Sequence, residues 1–331
     1  MNFAEYQNEL NSKWEQLDKK IQDDEEIKKS GEGQIQVSNE FWITLNTSNL
    51  PGLKIFCDKK LDIQKKNLPE CKGWKLDIID NQIFMCLKNQ KYSDFFKDTI
   101  NLILARIYLQ NINDKDSIIF FLERLDLAKN FFDSDDPPKP LTESEQIGLF
   151  GEISLINDFF LKKIPYEECI SIWTGPSKKH DFTTNKFLLE AKTTTQDKKI
   201  INVSSNQLSP IYDKNLYLSL ICINKGINCE NLNTLIESLS LKLNEIGENL
   251  LNEFLMKLRQ SGYYDFHKEQ YNQKYIIKNL IFYKIDDSFP HIISSNIKIP
   301  EAISDVSVTY KIDLDKCEEF KINEDELLEK L

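Results

Sequence analysis

Apolar residues recur at helical spacing near the start of the chain, where Phe3, Leu10, Trp14, Leu17 and Ile21 predict one amphipathic helix. The charge run DDEEIKKSGEG that follows predicts a turn or loop. From 33 to 93 the pattern shortens to strand-like runs. FWITL and GLKIFC come first, then WKLDII and QIFMCL, which predict a hairpin about Asp80-Asn81. SDFFKDTINLILARIYLQ and SIIFFLERLDLAKNFFD return to i, i+3, i+4 spacing and predict a helical pair. DSDDPPKP, rich in acids and prolines, ends the second helix as a linker.

LTESEQIGLFGEISLINDFFLKK opens on a Thr142-x-x-Glu145 capping box and predicts an amphipathic helix to about Lys163. Residues 180–193 predict two strands joined by Thr184-Asn185-Lys186, and NLYLSLICI at 215–223 predicts a strand buried on both faces. A long helical pattern spans 230–261, and the tail alternates the strand-like runs KYIIKNLIFYKI and VSVTYKIDL with loops. The expected class is α/β in three parts. These are a mixed β and helical domain over 1–138, a core over 139–230, and a helical and β extension over 231–331.

Chemistry concentrates in the hairpin of that core. Side chains alternate along a strand, so in FLLEAKT Phe187, Leu189 and Ala191 face one way while Leu188, Glu190 and Lys192 face the other. With Asp181 on the preceding strand, two carboxylates can share a hard cation such as Mg²⁺, which takes one or two protein carboxylates and fills its other positions with water and phosphate oxygens. Lys192 beside them can orient or deprotonate a water and offset phosphate charge. The competing reading is a solvated strand face with a salt bridge, since acid-x-Lys also occurs at Glu26-Ile27-Lys28 and Asp58-Lys59-Lys60. Glu152 lies on the side of its helix that carries Leu149, Ile156 and Phe159, which would bring a third acid toward the hairpin. Gly148 and Gly151 on that helix call for a reason such as close approach of another backbone.

Composition fits a globular chain, with 40% hydrophobic and 29% charged residues. The N-terminus is polar and acidic, and no apolar run is long enough for a membrane span, so a cytoplasmic protein is expected. Seven scattered cysteines without a CxxC pair argue against a disulfide framework and a structural zinc site. The net charge of −11 speaks against nonspecific coating of nucleic acid. Around the hairpin the balance is reversed, because lysines 178, 179, 186, 192, 198 and 199 outnumber Asp181, Glu190 and Asp197.

ESEQIGLFGEISLI, Ile172-Trp173-Thr174-Gly175-Pro176, His180-Asp181-Phe182, Leu189-Glu190-Ala191-Lys192-Thr193-Thr194 and Ser204-Ser205-Asn206-Gln207-Leu208 together resemble a bacterial family of PD-(D/E)XK motif proteins of defence islands. FFLERLDLAKNFF, LNEFLMKLRQSGYY, FYKIDDSFPHI and VTYKIDL extend the likeness over most of the chain. The resemblance implies a restriction-endonuclease-like core, a mixed sheet flanked by helices. It implies that Asp181 and Glu190 bind Mg²⁺, with Mn²⁺ as substitute, that Glu152 supports the metal or its water, that Lys192 is the catalytic lysine, and that Gln207 faces the site. The family's Pro-Asp is here His180-Asp181, so the turn before the acid departs from the pattern.

The implied activity is Mg²⁺-dependent hydrolysis of DNA in anti-phage defence or restriction. RNA would be cut by a site built alike, and a double-strand break by two sites would call for a homodimer. The chain has no GxxxxGK[ST] loop and no dinucleotide fingerprint, so an ATPase or methyltransferase would come from partner proteins. The alternative, favoured by the acidic charge, is a noncatalytic DNA-binding or scaffold subunit of a defence complex.

Overall fold

The computed structural model describes residues 3–23, 32–46, 48–56, 68–69, 71–80, 82–133, 136–175, 178–195, 197, 199–209, 214–292 and 308–331. Residues 24–31 of the expected loop, Cys57, Asp58 to Lys60, Asn81, residues 134–135 of the expected linker, Pro176, Lys198 and residues 306–307 lie outside these. The chain divides into two compact units, 1–139 and 140–331.

In the first unit α1 (Phe3–Asp23) follows the predicted periodicity, with Leu10, Trp14, Leu17 and Ile21 buried. Strands β1 (Glu32–Gln36), β2 (Phe41–Asn46), β3 (Pro51–Phe56), β4 (Trp74–Ile79) and β5 (Gln82–Leu87) form an antiparallel sheet of order β1-β2-β3-β5-β4. The predicted hairpin is β4 with β5, in register from Trp74 opposite Leu87 to Ile79 opposite Gln82. Helices α2 (Ser93–Leu109) and α3 (Asp114–Asp133) are the expected helical pair. The indole of Trp14 donates to Asn101 Oδ1 at 2.9 Å, which ties α1 to α2 without leaving a buried N–H unpaired.

The second unit begins with α4 (Glu143–Asp158). Its capping box is formed: Thr142 Oγ1 accepts from the Glu145 amide and Glu145 Oε2 accepts from the Thr142 amide. The α-helix stops at Asp158 and a 3₁₀ turn, Phe160–Lys162, completes the stretch expected as one helix to Lys163. After α5 (Tyr166–Ile172) come β6 (Phe182–Thr183), β7 (Phe187–Thr194), β8 (Ile200–Ser204) and β9 (Asn215–Asn231). Helices α6 (Leu232–Ile246) and α7 (Glu248–Gln260) take the place of the single long helix expected over 230–261, broken at Gly247, where no side chain favours continuing the helix. Strands β10 (Lys274–Ile285), β11 (Thr309–Asp313), β12 (Lys321–Ile322) and helix α8 (Glu324–Leu328) follow.

The main sheet of this unit has the order β12-β10-β9-β7-β6 and is mixed: β7 and β9 are parallel, and the other pairs are antiparallel. β8 and β11 form a separate two-stranded sheet. The boundary expected at 230/231 therefore falls inside one packed unit. β10, from the expected extension, hydrogen-bonds along β9, and Leu188, Leu218, Leu220, Tyr283 and Ile312 share one apolar cluster. β9 also runs to Asn231, beyond the end expected at 223, because Asn224, Lys225 and Asn231 find partners on β10.

α4 packs against β7, and Gly151 is the residue that permits it. A Cβ there would lie 1.9 Å from Thr193 Oγ1 and 3.0 Å from Ile221 Cδ1. The expected close approach accounts for Gly151 and not for Gly148, where an added Cβ would meet no atom within 4 Å. The six cysteines among the described residues, Cys71, Cys86, Cys169, Cys222, Cys229 and Cys317, are free. No helix among the described residues is long and apolar enough to cross a membrane.

Candidate active site

The site forms where the β6–β7 hairpin meets α4 and the turn after β8. Thr184 Oγ1 accepts from the amides of Lys186 and Phe187 at 3.1 and 2.9 Å, closing the turn at the predicted Thr-Asn-Lys. This sets Phe182 opposite Leu189 and Thr183 opposite Leu188. β6 ends there, so the amide of Ala191 has no strand partner on that side. Asp181, the residue just before β6, supplies one: its Oδ2 accepts from Ala191 N at 2.7 Å. A side chain thus completes the ladder, and the same bond fixes the carboxylate beside the center of β7.

Glu190 is 1% exposed. Its Oε1 receives both Lys192 Nζ at 2.8 Å and Gln207 Nε2 at 2.5 Å, while its Oε2 has no hydrogen-bond partner. The alternation predicted for β7 is present, since Glu190 and Lys192 meet on one face. The side chain of Lys192 is 20% exposed, so it reaches the rim of the site while Glu190 lies beneath. A charge buried this far is tolerated only with partners, and the solvated-face reading does not describe it. Gln207 sits in the turn after β8 and before β9. Its Oε1 accepts from Ser204 N at 3.0 Å, which holds the amide nitrogen toward Glu190.

Glu152 arrives from α4. Its Oε2 accepts from the indole Nε1 of Trp173 at 2.8 Å, and Trp173 is itself fully buried with its ring 5.7 Å from that of Phe254. Trp173 is therefore a core residue with a second task, holding Glu152, that the sequence reading missed. Burial raises the Glu152 carboxyl to about 7, the negative charge of Glu190 adds to the rise, and the Trp173 hydrogen bond and Lys192 oppose it. Asp181 is raised well above the usual carboxylate range, first by burial and then by the charges of Glu152 and Glu190, against the pull of the Ala191 amide and Lys192. Three acids thus feel one another's charge around one lysine. Lys179 also senses Glu190, but burial is the larger influence and lowers its ammonium; its Nζ donates to Ser209 O at 3.3 Å.

All five residues expected at the site, Glu152, Asp181, Glu190, Lys192 and Gln207, are connected by these bonds and charges. They do not form a ready-made cage. Among the described residues no group of three or more His, Cys, Asp or Glu side chains is arranged to hold a metal ion, because Glu152 is turned to Trp173 and Asp181 to Ala191. The donors nonetheless suit a hard divalent cation in chemistry. They are carboxylate oxygens, two of their carboxyls are pushed toward the protonated form first by burial and then by neighbouring carboxylate charge, and Glu190 Oε2 is a buried acceptor without a donor. An orphaned buried polar atom costs about 1–3 kcal/mol. His180, at the position of the missing proline, is 3% exposed, so its ring is shielded from a phosphate in solution.

Comparison with curated proteins and with solved structures gives no match. One family model, described as "Putative PD-(D/E)XK family member, (DUF4420)", matches residues 10–315. That span takes in most of the 331 residues and every side chain of the site. The chain belongs to this family.

Proposed function

We propose that the chain is a Mg²⁺-dependent endonuclease of the PD-(D/E)XK type that hydrolyses DNA phosphodiester bonds, with Mn²⁺ able to substitute. The observation that carries the reading is the buried Glu190 carboxylate joined to Lys192 and placed within the electrostatic reach of Asp181 and Glu152. The mixed sheet with α4 across β7 supports a restriction-endonuclease-like core.

Asp181 and Glu190 would hold the cation, with Glu152 supporting it or its water. When bound, such a cation lowers the pKa of a water and offsets charge on the scissile phosphate. The other tasks belong to side chains of this chain. Lys192, the partly exposed cation of the cluster, donates to a phosphate oxygen or to the attacking water and is paired with the Glu190 carboxylate at 2.8 Å. Gln207 fixes Glu190 from the β8 side, and the Ala191 amide fixes Asp181. Glu152, with a carboxyl raised to about 7, can take up or release a proton near neutrality.

The resemblance extends this reading to a cytoplasmic role in anti-phage defence or restriction, beside partner proteins, with a homodimer where both strands are cut. The net charge of −11 favors the second reading, a noncatalytic DNA-binding or scaffold subunit inside a complex, because a nuclease acting alone would hold duplex DNA with a broader basic surface. Incubating purified protein with supercoiled plasmid, single-stranded DNA and RNA in Mg²⁺, Mn²⁺ or chelator separates the two. Nicking or linearisation that chelator abolishes supports the nuclease; stable DNA binding with intact DNA under every metal condition supports the subunit.

A further inference from the structure

Directly beneath the site lies a set of polar atoms that the proposed chemistry does not use. The His180 ring is 3% exposed, and neither Nδ1 nor Nε2 has a hydrogen-bond partner. Another orphan of the site lies close by: Nδ1 is 3.8 Å from Glu190 Oε2, roughly 1 Å beyond hydrogen-bond length. Two unpaired groups buried side by side are an unfavorable arrangement that a small ring movement removes. The ring's backbone is held, since the His180 carbonyl accepts from Thr174 Oγ1, so the movement falls to the side chain.

We propose that His180 is a positioning residue for Glu190, donating from Nδ1–H to Oε2. Counting acceptor sites shows what this achieves. A carboxylate offers about four lone-pair sites. Lys192 and Gln207 take two on Oε1, and His180 takes one on Oε2. One site on Oε2 stays open, and the carboxylate is held from both sides so that this site keeps one orientation. The remaining ring nitrogen, Nε2, then carries a bare lone pair and no unpaired N–H. The departure from the Pro-Asp pattern is thereby given a use: the residue before Asp181 supports the second acid.

The role rests on the nuclease reading, but the contact can be tested without it. The chain has three histidines, so the His180 ring nitrogens can be assigned in ¹⁵N spectra of metal-free protein by comparison with His180→Asn. A proton on Nδ1, with a resonance that moves on Glu190→Gln, is expected. A proton on Nε2 alone, or an Nδ1 signal indifferent to Glu190→Gln, overturns the proposal. Mn²⁺ calorimetry then reads the positioning. His180→Leu is expected to weaken binding at least about tenfold, while His180→Asn, which keeps a donor near the Nδ1 position, stays within about threefold of the wild type. Equal losses in both variants, or none in Leu, count against positioning. Wild-type protein that binds no Mn²⁺ contradicts the nuclease reading, and the Nδ1 resonance still decides the His180 contact.

Discussion

Glu190 is held by two neighbors on one oxygen, and its environment makes the surrounding acids sensitive to pH. For Glu152 the sign follows from a folded-state value raised from 4.5 to about 7. The stability it contributes is fully present below 4.5, where folded and unfolded chains both hold the proton, and is lost as pH rises through about 7. Asp181 is shifted in the same direction. Metal-free Glu152→Gln should therefore gain on the wild type as pH rises from 5 to 8, by roughly 2–3 kcal/mol in urea titrations. A difference that does not change with pH contradicts the electrostatic account. Alternation along β7 made Glu190 and Lys192 legible as neighbors, and the acid beside the hairpin made Asp181 legible. The Trp173 bond to Glu152 and the burial of His180 were not, because both depend on how α4 and the chain before β6 pack, which no local spacing encodes.

At the scale of elements, the approach of α4 to β7 decides whether Glu152 reaches the site. Gly151→Ala puts a methyl group into Thr193 Oγ1 and should destabilise the protein by about 1–3 kcal/mol and reduce any cleavage activity with it. Gly148→Ala has open space and should stabilise it by roughly 0.5–1 kcal/mol with activity unchanged. Chemical denaturation of the two variants checks the contrast, and similar effects at both positions would refute the packing given for α4. The sequence marked both glycines alike, since both break the same helical pattern. Only the position of Thr193 tells them apart. Likewise the break at Gly247 and the 3₁₀ turn after Asp158 are local choices inside apolar periodicities that continue through them.

For the molecule as a whole, every residue of the site and every bond that orders it lies within the unit 140–331. That unit expressed alone should unfold cooperatively and bind Mn²⁺ with the affinity of the full chain; loss of cation binding in a folded fragment would mean that residues 1–139 contribute to the site. The sequence separated 231–331 from the core because helices intervene. Partners of a strand are not written in its own residues, and β10 reads alike whether it pairs with β9 or with a sheet of its own. The central claim is that the cluster around Glu190 cuts DNA, and the direct measurement is plasmid cleavage in Mn²⁺ by wild type, Glu190→Gln and Lys192→Met, each first shown to be folded. The account predicts cleavage by the wild type and a loss of at least about a hundredfold in both variants. Cleavage that survives both substitutions would place the chemistry elsewhere in the chain.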